Sequence, residues 1–497
     1  MKKVIIIGAG TAGLAAAIRL QTLGYQCEIY EKNDRVGGRM YQIKEHGFTF
    51  DVGPTIVMMP NLYREVFEFS GANPDEYIPM TLLSPMNTIH YPDQSSLVIS
   101  SELTKFINQL EKVSEKETAG YLAYISDVYR RYILAKEAFL EKSYRKPSEF
   151  FNIKTLHSLY KLNTLNSAYQ SISTFVKDDK LRKALSFQTL YVGISPFTGP
   201  SIYTIIPMIE LLYGIWYIKG GMYQMAKGME QRFLELGGVI HFNQNVQEII
   251  IKDKVAKGII VDGKAVYSDV ILSNVDFPWT MKHLIKDKNH KGKYQDKKID
   301  RMQYSSSAMI MYLGLSKKYP TMVHQIHFAR DFKKNIEDLF EGVIPNDPSY
   351  YMYSPSQIDD SMAPEHQESL YVLIPVPSQR EKENLWDDAE IHRLKRIVLD
   401  KIKTIEGFSD IEEHIIYEKI FTPKHFESLF NLHYGATFGL KPNMFQSLYF
   451  RPQATSKKVK NLYFTGSSNH PGAGVPIVLM SAKIAVNEIE RDHHGTH

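Results

Sequence analysis

The sequence predicts an α/β protein: a doubly wound parallel sheet with an inserted α+β domain that carries a helical region. Three stretches predict it. Residues 3–30 read as strand, glycine turn, helix, strand. Residues 218–276 read as glycine turn, helix and a strand series. Residues 461–490 read as strand, glycine turn, helix. Related units at the start, middle and end, with unlike material between them, describe one discontinuous domain interrupted twice.

The first unit is the best defined. Residues 3–7 are a continuous apolar β-type run and residues 8–13 a turn. Residues 14–23 form a helix with small residues toward the strand, ended by Gly24, and residues 26–30 are the second strand, with Glu31 at its end. Gly8-x-Gly10-x-x-Gly13, with Ala12 in the same turn, is a Rossmann-type dinucleotide fingerprint. The first glycine makes the tight turn, the second admits the pyrophosphate and the third lets helix pack on strand. The helix N-terminus faces the phosphates with unpaired N–H groups, and Glu31 is placed to accept the ribose hydroxyls. This spacing leaves FAD and NAD both open. In the following stretch EKNDRVGGRM, the pair Gly37–Gly38 and then Arg39 offer a close backbone turn and a fixed cation near the same phosphates. Alone, GGR is equally a hairpin with a surface arginine. GFTFDVGPT then places Asp51, Gly53, Pro54 and Thr55 in a polar turn after a strand.

Residues 101–146 are helical by pattern. Tyr121, Ile125, Val128, Tyr132, Ala135 and Phe139 recur at three- and four-residue spacing, with Arg130, Arg131, Lys136, Lys142, Arg145 and Lys146 nearby. Residues 201–218 are the most apolar stretch but contain Pro207 and Glu210. After the helix that stops at Gly237–Gly238, hairpin turns are expected at Asp253–Lys254 and Asp262–Gly263.

Composition narrows the function classes. The 497 residues are 43% hydrophobic, enough for a large core, and carry a net charge of +4. So weak an excess gives no footprint for a charged partner, and the lysine-rich run 286–298 reads as a solvated loop rather than a nucleic-acid contact. The single cysteine, Cys27, excludes an internal disulfide framework and fits a reducing, cytoplasmic compartment. Residues 4–20 carry motif glycines and continue into a second strand, so they are mature structure rather than a signal peptide. No apolar run reaches the roughly 20 residues of a membrane span. No metal site is expected: His324-x-x-His327 reads as a surface pair, and His493, His494 and His497 as a frayed tail.

Taken in order, the fingerprint, GGR, GFTFDVGPT, the KGGM of residues 219–222 and YFTGSSNHPGAGVPIVL carry a family resemblance. The chain resembles, along essentially its whole length, the carotenoid and phytoene desaturases of the FAD-dependent amine oxidase superfamily. GFTFDVGPTIVMMP, KSYRKPSEFFN and FQTLYVGISPFTGPSIYTIIPMIE are most similar to the staphylococcal-type dehydrosqualene (4,4′-diapophytoene) desaturases, which act on C30 substrates. The resemblance implies a Rossmann-type FAD-binding domain over residues 1–80, 219–285 and 455–497. The substrate domain, with its helical insert, would cover residues 81–218 and 286–454. It implies FAD as cofactor. Gly8, Gly10, Gly13, Glu31, Gly38 and Arg39 would hold the ADP half, and Gly53, Pro54, Thr55 and Ile56 would lie by the isoalloxazine. Val246, in the strand after Gly238, would present its backbone to the adenine, and Gly466 would approach the phosphate and ribityl region. The turn at Gly472, Gly474, Val475 and Pro476 would meet the other end of the cofactor. A helix beginning near Val475 would aim N–H groups at the negative charge of the reduced flavin.

The implied reaction is desaturation of dehydrosqualene to conjugated C30 carotenoids such as 4,4′-diaponeurosporene, with a hydride passing to the flavin. No catalytic residue is identifiable. Glu210, in an apolar run where its pKa would rise, reads equally as an ion-pair partner. The implied partners are a hydrophobic isoprenoid and, peripherally, a membrane surface. Residues 121–146, and residues 201–218 with Tyr203, Tyr213, Trp216 and Tyr217, are expected to meet that surface; both read equally as core helices. The rival readings are a carotenoid oxygenase or isomerase on the same fold, a flavin amine oxidase, and a non-enzymatic flavin- or lipid-binding carrier. Oligomeric state, number of desaturation steps and final electron acceptor are not legible.

Overall fold

The computed structural model describes residues 1–162, 166–380 and 385–494. Five parallel strands form one sheet: β1 (Lys3–Ile7), β2 (Gln26–Tyr30), β3 (Val239–His241), β4 (Val270–Ser273) and β5 (Leu462–Phe464). Their order is β5-β4-β1-β2-β3, a doubly wound arrangement whose switch point lies between β1 and β4. Val4 to Ile7 of β1 are all buried, as a central parallel strand covered on both faces requires. On one face, helices α1 (Thr11–Thr22) and α2 (Val475–His493) pack together with helix Tyr223–Glu235. The buried Ala12, Ala15, Ala16 and Ala17 let α1 approach closely. Near the other face lies a three-stranded antiparallel sheet, Val246–Lys252, Val255–Val261 and Lys264–Tyr267. Its two hairpins turn where expected: Asp253, Lys254, Asp262 and Gly263 all take positive φ, the two-residue pattern that matches strand twist.

A second, seven-stranded sheet carries the rest. Its order is Ile415–Phe421, Ser307–Leu315, Glu368–Val376, Tyr350–Tyr353, His324–His327, Asn87–His90 and Ser96–Ile99, antiparallel except where His324–His327 runs beside Asn87–His90. One face packs on the helical region, and the other on helix Asp388–Lys403.

Several expectations need correction. Helix α1 begins at Thr11, not residue 14, because Gly10 takes the extended N-cap conformation and Gly13 falls inside the first turn. Val246 does not belong to the strand after Gly238; that strand is β3, and Val246 opens the next one. Residues 101–146 break into helices Leu103–Val113 and Glu115–Ala135, with Ser114 capping the second. The stripe of Tyr121, Val128, Tyr132, Ala135 and Phe139 is buried in the core, so it is not a membrane face. Arg131 is buried and pairs with Asp127, and Arg145 pairs with Glu488 and, at 2.6 Å, Asp492. These two cations join parts of the fold and are not free for headgroups. Most of residues 201–218 are likewise interior. His324 and His327 are 1% and 7% exposed, not a surface pair, because their strand is flanked on both sides. His493 ends a regular helix, accepting from Lys2 Nζ at 2.8 Å, and His494 packs edge-on against Tyr25; His497 lies outside the described residues.

Candidate functional site

At the carboxyl ends of the parallel strands a cavity of about 420 Å³ opens toward the second sheet. Its wall includes Gly8, Gly10, Ala12, Glu31, Gly38, Arg39, Gly53, Pro54, Thr55, Ile56, Val246, Gly466, Gly474, Val475 and Pro476. Of the residues expected to meet the cofactor, Gly13 and Gly472 are not on it. Gly13 lies within the first turn of α1, where the Cβ it lacks would sit 2.3 Å from the Gly8 carbonyl oxygen and 2.9 Å from Asn274 Oδ1. A Cβ on Gly10 would meet the same Oδ1 at 2.7 Å. The turn is thus held against its neighbours by backbone and Asn274, with no room for side chains.

Glu31 stands at the end of β2. One carboxylate oxygen accepts the Ala9 N–H at 2.8 Å, and the other accepts the Asn33 N–H and side-chain amide, each at 2.9 Å. It therefore ties the end of β2 to the glycine turn and still turns toward the cavity. Across from it, Arg39 donates to the Thr437 carbonyl at 2.7 Å and to Ser467 Oγ at 2.8 Å. Burial lowers its pKa, while the Asp276 carboxylate acts the other way.

Asp51 links two of the motifs. It accepts from the backbone N–H groups of Met222 and Tyr223, at 3.0 and 3.3 Å, and from Gln42 Nε2 at 3.0 Å. It thus caps helix Tyr223–Glu235 and holds GFTFDVGPT against KGGM. Gly221 leaves space for it: a Cβ there would fall 2.6 Å from Asp51 Oδ2. Burial pushes the Asp51 pKa up to about 6.

At the far end, Gly474 is the N-cap of α2, with φ +103° and ψ +141°. The helix starts at Val475, as its Pro476 suggested, and its first-turn N–H groups have no partner within the helix. Sequence reasoning missed the side chains that fix this wall. Asn274 Nδ2 donates to the Thr465 carbonyl at 3.2 Å. Asp276 accepts from Ser468 Oγ at 2.5 Å. Arg451, 1% exposed, donates to the carbonyls of Asn469, Gln446, Leu440 and Ser467 and so holds the chain between β5 and the turn. None of these three sits in a motif, so no local signal marks them.

Beyond Thr55 the wall becomes apolar, with Phe187, Leu190, Ile326, Phe328, Phe332 and Leu373 on it. Glu210 is fully buried behind this part of the wall and accepts from Asn87 Nδ2 at 2.6 Å; this hydrogen bond, not the ion pair weighed above, is its partner. Burial pushes its pKa up from 4.5 to about 7, with the Asn87 and Gln188 hydrogen bonds acting the other way. Between these two values the folded chain keeps a proton that the unfolded chain has released. This contribution to stability is complete below pH 4.5 and is lost as the pH rises through about 7. Glu210→Gln removes the charge and keeps an acceptor for Asn87. The variant is expected to match wild type near pH 4.5 and to gain on it by up to about 3 kcal/mol above pH 8. Thermal unfolding of both proteins across that range checks this; parallel curves would show that Glu210 does not titrate there.

Comparison with known proteins decides the family. Residues 11–490 match the flavin containing amine oxidoreductase family. The chain belongs to that family. The chain is 45% identical to a 4,4′-diapophytoene desaturase (4,4′-diaponeurosporene-forming) of Staphylococcus haemolyticus, over 99% of each chain. It is 44% identical to the protein of the same name from Staphylococcus aureus, again over 99% of each chain. Among solved structures, an oxidoreductase from Methanosarcina mazei superposes with a TM-score of 0.64 at 16% identity, covering 98% of this chain and 100% of its own. That likeness is one of fold.

FAD is the cofactor of this chain, and the cavity fits it. The glycine turn takes no Cβ at Gly10 or Gly13 without displacing a neighbour. The N-termini of α1 and α2 both border the space. The Tyr191 hydroxyl and Asn469 Nδ2, both in residues of the wall, are buried with no partner in the protein.

Proposed function

We propose that this chain desaturates 4,4′-diapophytoene to conjugated C30 carotenoids such as 4,4′-diaponeurosporene. The observation that carries the reading is the continuity of one cavity, from glycine turns at the parallel strands into an aromatic and aliphatic lining. FAD supplies two-electron, hydride-accepting chemistry when bound. The protein's part is to bind, orient and exclude water. Gly8, Gly10, Ala12, Gly13, Glu31, Gly38 and Arg39 hold the ADP half, with Val246 by the adenine and Gly466 by the phosphates. Gly53, Pro54, Thr55 and Ile56 line the isoalloxazine position, and the Gly474–Val475–Pro476 helix start faces the same place. The FAD-binding body comprises residues 1–80, 219–285 and 455–497, a division supported by the origin of all five parallel strands; the substrate body comprises residues 81–218 and 286–454.

Anaerobic incubation of the FAD-loaded protein with 4,4′-diapophytoene and an artificial electron acceptor tests the reading. Conjugated product is expected without oxygen. Product that requires O₂ would make the protein an oxygenase, product of unchanged mass an isomerase, and unchanged substrate a carrier.

The substrate is a hydrocarbon, so it is taken from a bilayer. Among the described residues no helix is long and apolar enough to cross a membrane; peripheral docking from the cytoplasmic side is part of the proposal. The docking face differs from the one expected. Helix Glu115–Ala135 packs with helices Ile153–Lys161 and Ile205–Tyr213, and together they expose Leu122, Tyr129, Ile133, Ile153, Tyr160 and Tyr213. Ile153 and Tyr160 are 87% and 85% exposed, and Arg130, Lys136, Lys142 and Lys146 are exposed nearby. Such a face supports insertion of apolar side chains beneath basic ones. Arg130→Gln, Lys142→Gln and Lys146→Gln together are expected to weaken binding to anionic liposomes at low salt, while Ile153→Ser with Tyr160→Ser removes the part that survives high salt. Co-sedimentation reads both. Wild-type protein left in the supernatant at both low and high salt would overturn membrane docking.

A further inference from the structure

A continuous series of hydrogen-bonding side chains leads out of the cavity wall. Thr55 Oγ1 lies 2.8 Å from the Tyr351 hydroxyl, and that hydroxyl lies 2.6 Å from Nδ1 of His324. Thr55 and Tyr351 both line the cavity, while His324 is buried behind them. The strands explain the arrangement. His324–His327 pairs antiparallel with Tyr350–Tyr353, His324 facing Tyr353 and Ile326 facing Tyr351. Tyr351 and His324 are therefore diagonal neighbours on one face of the sheet.

Desaturation, the activity proposed above and the one on which this inference rests, takes a hydride and a proton from adjacent carbons. The hydride leaves to the flavin, and the proton needs a base. Among the described residues on the wall, the carboxyl groups are Glu31 and Asp276, both at the glycine-turn end. We infer that Thr55, Tyr351 and His324 are the route by which the substrate proton leaves the cavity. A substrate C–H bond breaks and its electron pair becomes the new π bond. The proton joins Thr55 Oγ1, the Thr55 hydroxyl proton passes to Tyr351, and the Tyr351 proton passes to His324 Nδ1. Each hydroxyl ends as it began, and the imidazole has gained one proton.

The direction of the route fixes the resting state. Tyr351 donates to His324 Nδ1, Thr55 donates to Tyr351, and the Thr55 lone pairs face the cavity. Hydrogen then sits on Nε2 of His324, an atom with no partner in the protein. Burial pushes the His324 pKa down to about 3, so the imidazole is the free base throughout the neutral range. A C–H bond beside the positive charge left by hydride loss is a far stronger acid than an imidazolium, so a weak base suffices. The charges that reach its partners are those of Glu210 and Asp51 at Tyr351, and of Asp51 and Asp359 at Tyr353, whose ring stacks on His324 at 5.0 Å. His90 and His327, on the neighbouring strand and on its own, stack on each other.

Tyr351→Phe keeps the ring and cuts the route. His324→Asn keeps an acceptor where Nδ1 lies and cannot hold a proton. With FAD content unchanged, each variant is expected to lower the anaerobic single-turnover rate about 100-fold or more. The wild-type rate is expected to stay level from about pH 5 to 8, because His324 does not titrate there. Nitrogen-15 spectra of histidine-labelled, FAD-loaded protein give a readout free of turnover: His324 Nδ1 is expected as an unprotonated acceptor whose signal moves in Tyr351→Phe. A protonated Nδ1 in wild type overturns the route, as do two variants within about twofold of the wild-type rate. A rate that falls as the pH drops through about 7, and no longer does so in Glu210→Gln, assigns the proton to Glu210 instead. Active wild type with active variants overturns the route alone. Inactive wild type overturns the desaturase reading and the route with it.

Discussion

Gly13→Ala is expected to yield a folded chain that binds FAD about 10- to 100-fold more weakly. The added Cβ would lie 2.3 Å from the Gly8 carbonyl oxygen, and no rotamer change relieves a contact with backbone. Two effects compete. Within a helix, alanine is better than glycine by about 1 kcal/mol, so α1 itself is not lost. Against this, forcing atoms into a filled space costs about 1–3 kcal/mol, and here the strain falls on the turn that places Gly8 and Gly10 at the cavity. At 1.4 kcal/mol per factor of ten, FAD should bind about 10- to 100-fold more weakly. The flavin absorbance of purified protein and a titration of the apoprotein with FAD read the effect, and an unchanged far-ultraviolet circular dichroism spectrum shows that the fold is intact. Full flavin content at wild-type affinity would mean that the α1–turn contact does not shape the phosphate site.

Gly474→Val is expected to lower product formation about 100-fold while FAD is retained. At φ +103° the backbone lies where residues with a Cβ rarely go, a strain of about 1–3 kcal/mol. Protein atoms do not block the new side chain: the nearest to its Cβ is Ile477 Cγ1 at 4.0 Å. Gly474 lies on the cavity wall, so the valine methyl groups enter the cavity, at the place proposed above for the flavin ring. A displacement of about 1 Å at reacting atoms can lower a rate about 100-fold, which sets the expected loss. The ADP-end contacts are made by other segments and should hold the cofactor. Normal turnover with normal flavin content would leave this turn as an ordinary helix start.

How much of this was legible depended on how far apart in the chain the interacting groups lie. The first βαβ unit was readable because its determinants fall within 31 residues: apolar strands, glycines at fixed spacing and Glu31 at the end of β2. The hairpins at Asp253–Lys254 and Asp262–Gly263 were readable for the same reason, since a two-residue turn is a local backbone property. The start of α2 at Val475 was marked by Gly474 and Pro476 beside it. The stripe from Tyr121 to Phe139, expected at a membrane surface, lies in the core, because amphipathic periodicity says that one side of a helix is covered and not by what. Tyr121, Val128 and Tyr132 meet the rest of the substrate body, and the outward residues Leu122, Tyr129 and Ile133 form no long pattern of their own.

By itself, then, the sequence determined the nucleotide fold and the glycine turns near both ends of the chain, because each rests on short-range backbone geometry; the family followed from the resemblance that the ordered motifs carry. Only the tertiary structure decided which charges are spoken for and which polar groups are inside. Arg145 meets Glu488 and Asp492 from more than 340 positions away, Asp51 caps a helix 171 positions on, and Thr55 finds Tyr351 across 296. The energy of such contacts comes from burial and from hydrogen bonds that must be completed away from water. Both exist only after the two sheets have closed around the cavity, so no local window of sequence contains them.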